Sequence, residues 1–218
     1  MNLYRLLVLI PLFLLAACSS TEFVNLPDGE QSKCDTRLIG SWEVVTVSDS
    51  KDEDEPDYLT IEADCKRFVG SSMEDGNPEA EDLQEDTDIQ FVRDGKTQYV
   101  AVREIKSGAE SNSDGGDNMN YTLYRYEFKK NRVELRGVDH ERIGALIQSG
   151  KLHGRSVLNA PSSGQRTIQN QVDSNSAELS RGLRDRKAFE KRPTMILKRI
   201  SDDAMREAFT RAKGKTGD

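Results

Sequence analysis

Few side chains in this sequence have the chemistry to act as nucleophiles, bases or metal ligands. There are three cysteines, Cys18, Cys34 and Cys65, and two histidines, His140 and His153. An activated serine would sit in a Gly-x-Ser-x-Gly elbow, and the chain has none. His140 lies between Asp139 and Glu141 at an expected helix start, which predicts a solvated surface imidazole rather than a base. His153 precedes Gly154 and is expected in a turn. Neither a His-Glu-x-x-His pair nor a glycine-rich phosphate loop occurs. Asp49, Asp52, Glu53, Asp54, Glu55 and Asp57 offer hard oxygen ligands of the kind calcium prefers. The glycine an EF-hand needs at its sixth position is missing there, and again in residues 75–86, so both runs read as solvated loops. The expectation is a protein that is not an enzyme, with no catalytic residue, metal or cofactor.

The segment carrying Cys18 is built unlike the rest. Arg5 sits in a short polar start, and an apolar run from Leu6 to Ala17 follows, broken only by Pro11. Twelve residues are too few for a spanning helix, which needs about 20. They suit the apolar core of a secretory signal, with small residues ahead of a cut. Leu15-Ala16-Ala17-Cys18 resembles the lipobox of bacterial lipoprotein signals. That resemblance implies a signal peptide over residues 1–17, acylation of the Cys18 sulfur, and cleavage that leaves Cys18 as the lipidated N-terminus. Ser19 in place of aspartate implies sorting to the outer membrane of a Gram-negative envelope, facing the periplasm. Each buried methylene contributes about 0.8 kcal/mol, so two or more acyl chains hold firmly where one is marginal. With Cys18 assigned to lipid, Cys34 and Cys65 are left to pair in an oxidising compartment. Closing that loop would stabilise the fold by roughly 3 to 4 kcal/mol on the chain-entropy model.

Charge is spread unevenly. Residues 49–94 hold 17 acidic and 4 basic side chains, whereas residues 125–218 hold 21 basic and 12 acidic. The overall charge is −7. An acidic half and export both argue against nucleic acid as a partner. The expected partners are the membrane, through Cys18, and either a small apolar ligand or an envelope protein.

Residues 18–33 show no apolar period and are expected to form a lipidated tether, ahead of a single domain over 34–212 and a polar tail over 213–218. Residues 48–57, 71–88 and 107–120 are expected loops, being rich in Asp, Glu, Ser, Asn and Gly. Leu38–Val47, Tyr58–Ala63 and Gln98–Ile105 have strand character. Tyr121–Phe128 and Arg132–Gly137 flank a short polar connection and predict a hairpin, with Tyr124, Tyr126 and Phe128 on one core-facing side. Asp139 is a fitting cap for a helix over 140–149, stopped by Gly150 although Gly144 weakens it. Asn175 and Glu178 form a capping-box pattern that predicts a helix through about Phe189. Residues 155–174 are expected to be a long loop with at most one poor strand. Residues 194–200 read as a strand, and a last helix is expected from Ser201, with Met205, Ala208, Phe209 and Ala212 at helical spacing.

Gly40-Ser41-Trp42 resembles the Gly-x-Trp signature of lipocalins and related calycin barrels, and Lys198-Arg199 lies where those proteins carry a basic residue over the tryptophan. The resemblance implies a mainly β (α+β) fold, a lipocalin-like antiparallel barrel with inserted and C-terminal helices. It also implies that Arg199, rather than Lys198, stacks on Trp42 to close one end. Among proteins with these features, the chain is most similar to uncharacterised bacterial lipoproteins with a lipocalin-like domain. The leading functional expectation is a lipid-anchored envelope protein holding a small apolar ligand in its barrel. The alternative is a filled barrel that meets a protein or lipid partner through charged loops and a basic helix over 180–192, carrying Arg181, Arg184, Arg186, Lys187, Lys191 and Arg192. A hollow apolar interior favours the first; a packed one favours the second.

Overall fold

Aromatic and β-branched residues alternating with polar ones form most of this molecule into strands. The computed structural model describes residues 19–47, 57–63, 65, 68–74, 77–82, 87–104, 120–159 and 166–207. In chain order they form β1 (Ser20–Phe23), β2 (Glu30–Ser32), β3 (Gly40–Thr46), β4 (Asp57–Ile61), β5 (Phe68–Glu74) and β6 (Asn77–Asp82). Next come β7 (Thr87–Asp94), β8 (Thr97–Glu104), β9 (Thr122–Lys129), β10 (Arg132–Gly137) and helix α1 (His140–Gln148). The series ends with β11 (Gly154–Asn159), β12 (Thr167–Val172), helix α2 (Ser176–Leu183) and β13 (Met195–Ile200). A helical segment over 202–207 follows, its start capped by Ser201 Oγ, which accepts from Ala204 N at 3.1 Å. The fold is mainly β, as the sequence pattern implies.

Ten strands form one antiparallel sheet in the order β2-β7-β8-β9-β10-β13-β3-β4-β5-β6, and eight of its strands curl into a half-barrel. The hairpin β9–β10 sets its centre, with Tyr126 opposite Leu135 and Phe128 opposite Val133. Side chains alternate between two faces. Phe91, Val100, Tyr126, Val133 and Leu197 belong to an inner cluster with Trp42. Val92, Tyr99 and Ala101, their neighbours in sequence, belong with Leu123 to a second, outer cluster. That outer face is covered by α1, α2 and a small sheet of order β1-β12-β11, in which β1 runs parallel to β12.

The covering layer explains two features of α1. Asp139 caps it by accepting from Arg142 N at 2.9 Å, and Ile143 and Leu146 are buried. Gly144, a poor helix former, lies against the small sheet, where an added Cβ would meet Ser156 Oγ at 3.0 Å. Close packing outweighs a propensity cost of about 1 kcal/mol.

Four expectations are corrected. Residues 19–33 are not a tether: β1 is paired along its length and Phe23 is fully buried. A four-residue strand whose partner lies far along the chain leaves almost no local periodicity to read. Residues 71–88 include strands rather than one loop, since β6 pairs with β5 even though its sequence is Asn-Pro-Glu-Ala-Glu-Asp. Charge and proline are tolerated there because β6 is an edge. Residues 155–174 contain β11 and β12, whose inward positions include the polar Thr167 and Asn170. Finally, the helix from Asn175 stops at Leu183, and Arg186–Ala188 is a separate 3-10 turn, so residues 180–192 are not one basic helix. The expected loops at 48–57 and 107–120 lie largely outside the described residues, as do residues 208–218.

Candidate functional site

The concave face of the half-barrel encloses a cavity of about 800 Å³. Its walls are Leu59 and Ile61 from β4, Ile89 and Phe91 from β7, Val100 and Val102 from β8, and Tyr124 and Tyr126 from β9. Val133 and Leu135 of β10 and Met195 and Leu197 of β13 complete them. Alternation puts these side chains on one face, and antiparallel register brings them level: Phe91 opposite Val100, Val100 opposite Tyr124, Leu135 opposite Met195. Burial pushes the Tyr124 phenol above its ordinary range, as expected for a hydroxyl in apolar surroundings.

One end of the cavity is closed by a dense set of contacts. Leu38, in a 3-10 turn over Thr36–Leu38, lines the cavity, and its carbonyl accepts from Trp42 Nε1 at 2.7 Å. The Arg199 guanidinium lies 4.2 Å from the centre of the Trp42 ring and donates to the carbonyls of Arg37 at 2.8 Å and Ile39 at 3.0 Å. Gly40 makes room for it. Its φ is +121°, and a Cβ there would stand 2.9 Å from Arg199 Nη1. Lys198, the other basic residue of the pair, points away and meets Glu43 at 3.0 Å.

Beneath the same turn Asp35 accepts from Arg37 Nε at 2.8 Å and from the Tyr126 hydroxyl at 2.7 Å. Burial alone would raise the Asp35 carboxyl; these bonds outweigh it and hold the carboxyl below the usual carboxylate range. Arg37 in turn lies over the Phe128 ring at 4.3 Å. Cys34 and Cys65 are bonded, with Cα atoms 5.4 Å apart, and both pack in the inner cluster. The disulfide therefore ties the floor of the cavity.

The other end is open and polar, with Glu22, Thr87, Asn120 and Thr122 at the rim. Asn120 Nδ2 donates to Glu22 Oε2 at 2.8 Å. Here the cavity adjoins a cleft of about 500 Å³, and the two share Glu22, Thr122 and Tyr124. The cleft walls include Ser19, Val47, Val138, His140, Glu190 and Thr194.

His140 is corrected from a solvated residue to a half-buried one. Its Nδ1 lies 2.8 Å from Thr21 Oγ1, which accepts from Asn170 Nδ2 at 2.9 Å. That hydroxyl can donate its own hydrogen to Nδ1 or accept one from it, according to the tautomer of the ring. Burial lowers the imidazole below its ordinary range, against the opposing pull of Asp139. Glu190, in the same cleft, is raised by burial and by Asp139 and Glu141.

The remaining sequence candidates disperse. Cys18 and most of the acidic run at 49–57 lie outside the described residues. His153 is exposed, 3.7 Å from Glu178. Arg184 is held by Asp94 at 3.2 Å. Among the described residues no group of three or more His, Cys, Asp or Glu is placed to hold a metal ion, and no helix is long and apolar enough to cross a membrane. Sequence reasoning missed the β7 wall, although Ile89 and Phe91 alternate with polar residues in the stretch Asp88 to Phe91. The Thr21–His140–Asn170 cluster left no sequence signal, its members being 119 and 149 positions from Thr21.

No protein family, curated protein or solved structure matches this chain.

Proposed function

We propose that this chain is a lipid-anchored protein of the cell envelope that binds a small apolar ligand in the half-barrel without catalysis. The observation that carries the reading is the cavity: about 800 Å³, walled by aliphatic and aromatic side chains from six strands, closed at one end and open at the other. Pockets for small ligands have volumes of about 300–1,000 Å³ and are mostly apolar with a few polar groups. The lipobox-like segment ending at Cys18 supports anchoring, and Ser19 supports the periplasmic face of an outer membrane. The anchor is checked by Cys18→Ala, which should release the protein from membranes; firm retention would count against it.

Ligand binding is tested with dansyl-undecanoic acid titrated into the purified mature protein. Saturable binding is expected, and Val102→Trp, which fills the cavity wall, should weaken it at least tenfold while leaving far-ultraviolet circular dichroism unchanged. No saturable binding, or binding indifferent to Val102→Trp, would overturn the reading.

A second reading, contact with a protein or lipid partner, is favoured by a charged cleft on the outer face. Arg125, Arg136, Arg142, Arg186, Lys187 and Lys191 line it together with Glu127, Asp139, Glu141 and Glu190, around about 780 Å³. Charge reversal at Arg186 and Lys187 should abolish such a contact and leave dansyl-undecanoic acid binding untouched.

A further inference from the structure

The N-terminal strand fixes where the membrane must be. Ser20 pairs with Gln169, and Ser19 Oγ accepts from Ile168 N at 3.0 Å, so order extends to the residue directly after Cys18. A tether of about 15 residues would reach roughly 50 Å, whereas one residue reaches about 4 Å. A lipid on Cys18 therefore starts within one residue of the folded domain.

Ser19 also stands at one particular end of the fold. The cleft it lines is bounded by Val47 just past β3, Gly137 at the end of β10, Thr194 just before β13 and Thr122 at the start of β9. Those are the strand ends at the open side of the cavity, away from Arg199 and Trp42. Two of the large apolar side chains left exposed lie at this end, and one, Val24, follows the far end of β1. Three are exposed among the described residues, Val24, Val47 and Leu158. Val47 lines the cleft beside Ser19. Leu158 pairs with Ile168, the residue that holds Ser19. An anchor with no slack, two exposed apolar side chains and the open, polar-rimmed end of the cavity thus coincide.

Resting on the ligand reading above, we infer that the cavity opens onto the bilayer that anchors the protein, and that its occupant is an acyl chain of a bilayer phospholipid. The chain enters from the hydrocarbon side without crossing water, and its headgroup stays at the rim beside Glu22, Asn120 and Thr122. Apolar surface then passes from one dry environment to another, so entry has no aqueous intermediate to stabilise.

The test uses the full acylated protein in phosphatidylcholine–phosphatidylglycerol vesicles whose acyl chains are brominated. A bimane label is placed at the open rim through Val47→Cys, or at the closed end through Asn131→Cys, which lies level with Trp42, roughly 17 Å away along the strands. Quenching several-fold stronger at Val47→Cys is expected, and inserting 15 Gly/Ser residues between Cys18 and Ser19 should remove most of that difference. Equal quenching at both labels, stronger quenching at Asn131→Cys, or indifference to the insert overturns the orientation. For the occupant, native mass spectrometry of protein extracted from these vesicles should show one bound phospholipid, lost in Val102→Trp. Protein carrying only its own covalent acyl chains overturns the assignment. Dansyl-undecanoic acid binding without preferential Val47→Cys quenching overturns this inference and leaves the ligand reading intact. No dansyl-undecanoic acid binding overturns the ligand reading, and with it the occupant, whatever the quenching.

Discussion

Leu123 and Tyr124 are adjacent in β9 yet belong to opposite kinds of interior. Leu123 is fully buried among Val92, Tyr99, Ile143, Leu179 and Leu183, on the face that the helices and the small sheet cover. Tyr124 faces the cavity and is only partly buried. The two faces share the same strands, so backbone hydrogen bonding and twist are common to both. What differs is whether a second layer is present. The outer face has the close packing of a stable core, while the inner face keeps apolar side chains without filling the space between them. A sheet can leave one face hollow when the other supplies the packing.

The comparison is broken most severely at Leu123. Leu123→Ala should cost about 3–4 kcal/mol in urea unfolding, the middle of the range for a buried leucine with little room to relax. A cost below about 1 kcal/mol would mean that the outer face is not the packed one. Next in size, replacing Cys34 and Cys65 by serine together should cost about 3 kcal/mol, because the cross-link constrains the unfolded chain. The same pair should weaken dansyl-undecanoic acid binding by loosening the cavity floor.

Leu135→Ala, the same substitution on the hollow face, should cost only about 1 kcal/mol, since part of that side chain borders open space. Paired with Leu123→Ala it measures the difference between the faces directly. The smallest effect is a pH slope. His140 is lowered in the fold from its ordinary 6.5, so below about that pH the unfolded chain binds a proton the folded one refuses. Stability should fall as pH drops through this window and level off below the folded pKa. In His140→Gln the slope over that window should shrink; an unchanged slope would show that other groups cause it.

How much of this was legible depended on how local the determinants are. The hairpin β9–β10, the cap of α1 at Asp139 and the cap of α2 at Asn175 depend on residues within a few positions of each other, and each can be read directly. The pattern at Gly40-Ser41-Trp42 and Arg199 was legible through resemblance, and Gly40 shows why the glycine matters: the guanidinium occupies the space of its missing side chain. By contrast β1, β11 and β12 are held by distant partners and bury Thr21, Thr167 and Asn170, so their polarity resembles that of a loop. The cavity was expected only as a class of site. Its walls come from six strands, and which apolar residues leave space between them is a property of curvature, not of any segment.

The pairing of β1 with β12 also bears on the order of events in folding. Thr21 meets Asn170 across the register, so the earliest part of the domain must wait for nearly the whole chain before it can dock. Contacts of such long sequence separation form slowly, because loop-closure entropy is lost before they contribute. During that interval Phe23 and the edge of β12 are uncovered, and both are surfaces on which chains aggregate. If Cys18 is acylated first, the last strand to join is also the one fixed to the bilayer. Completion of the fold then becomes a two-dimensional search at the membrane, where neighbouring copies compete with the strand's own partner.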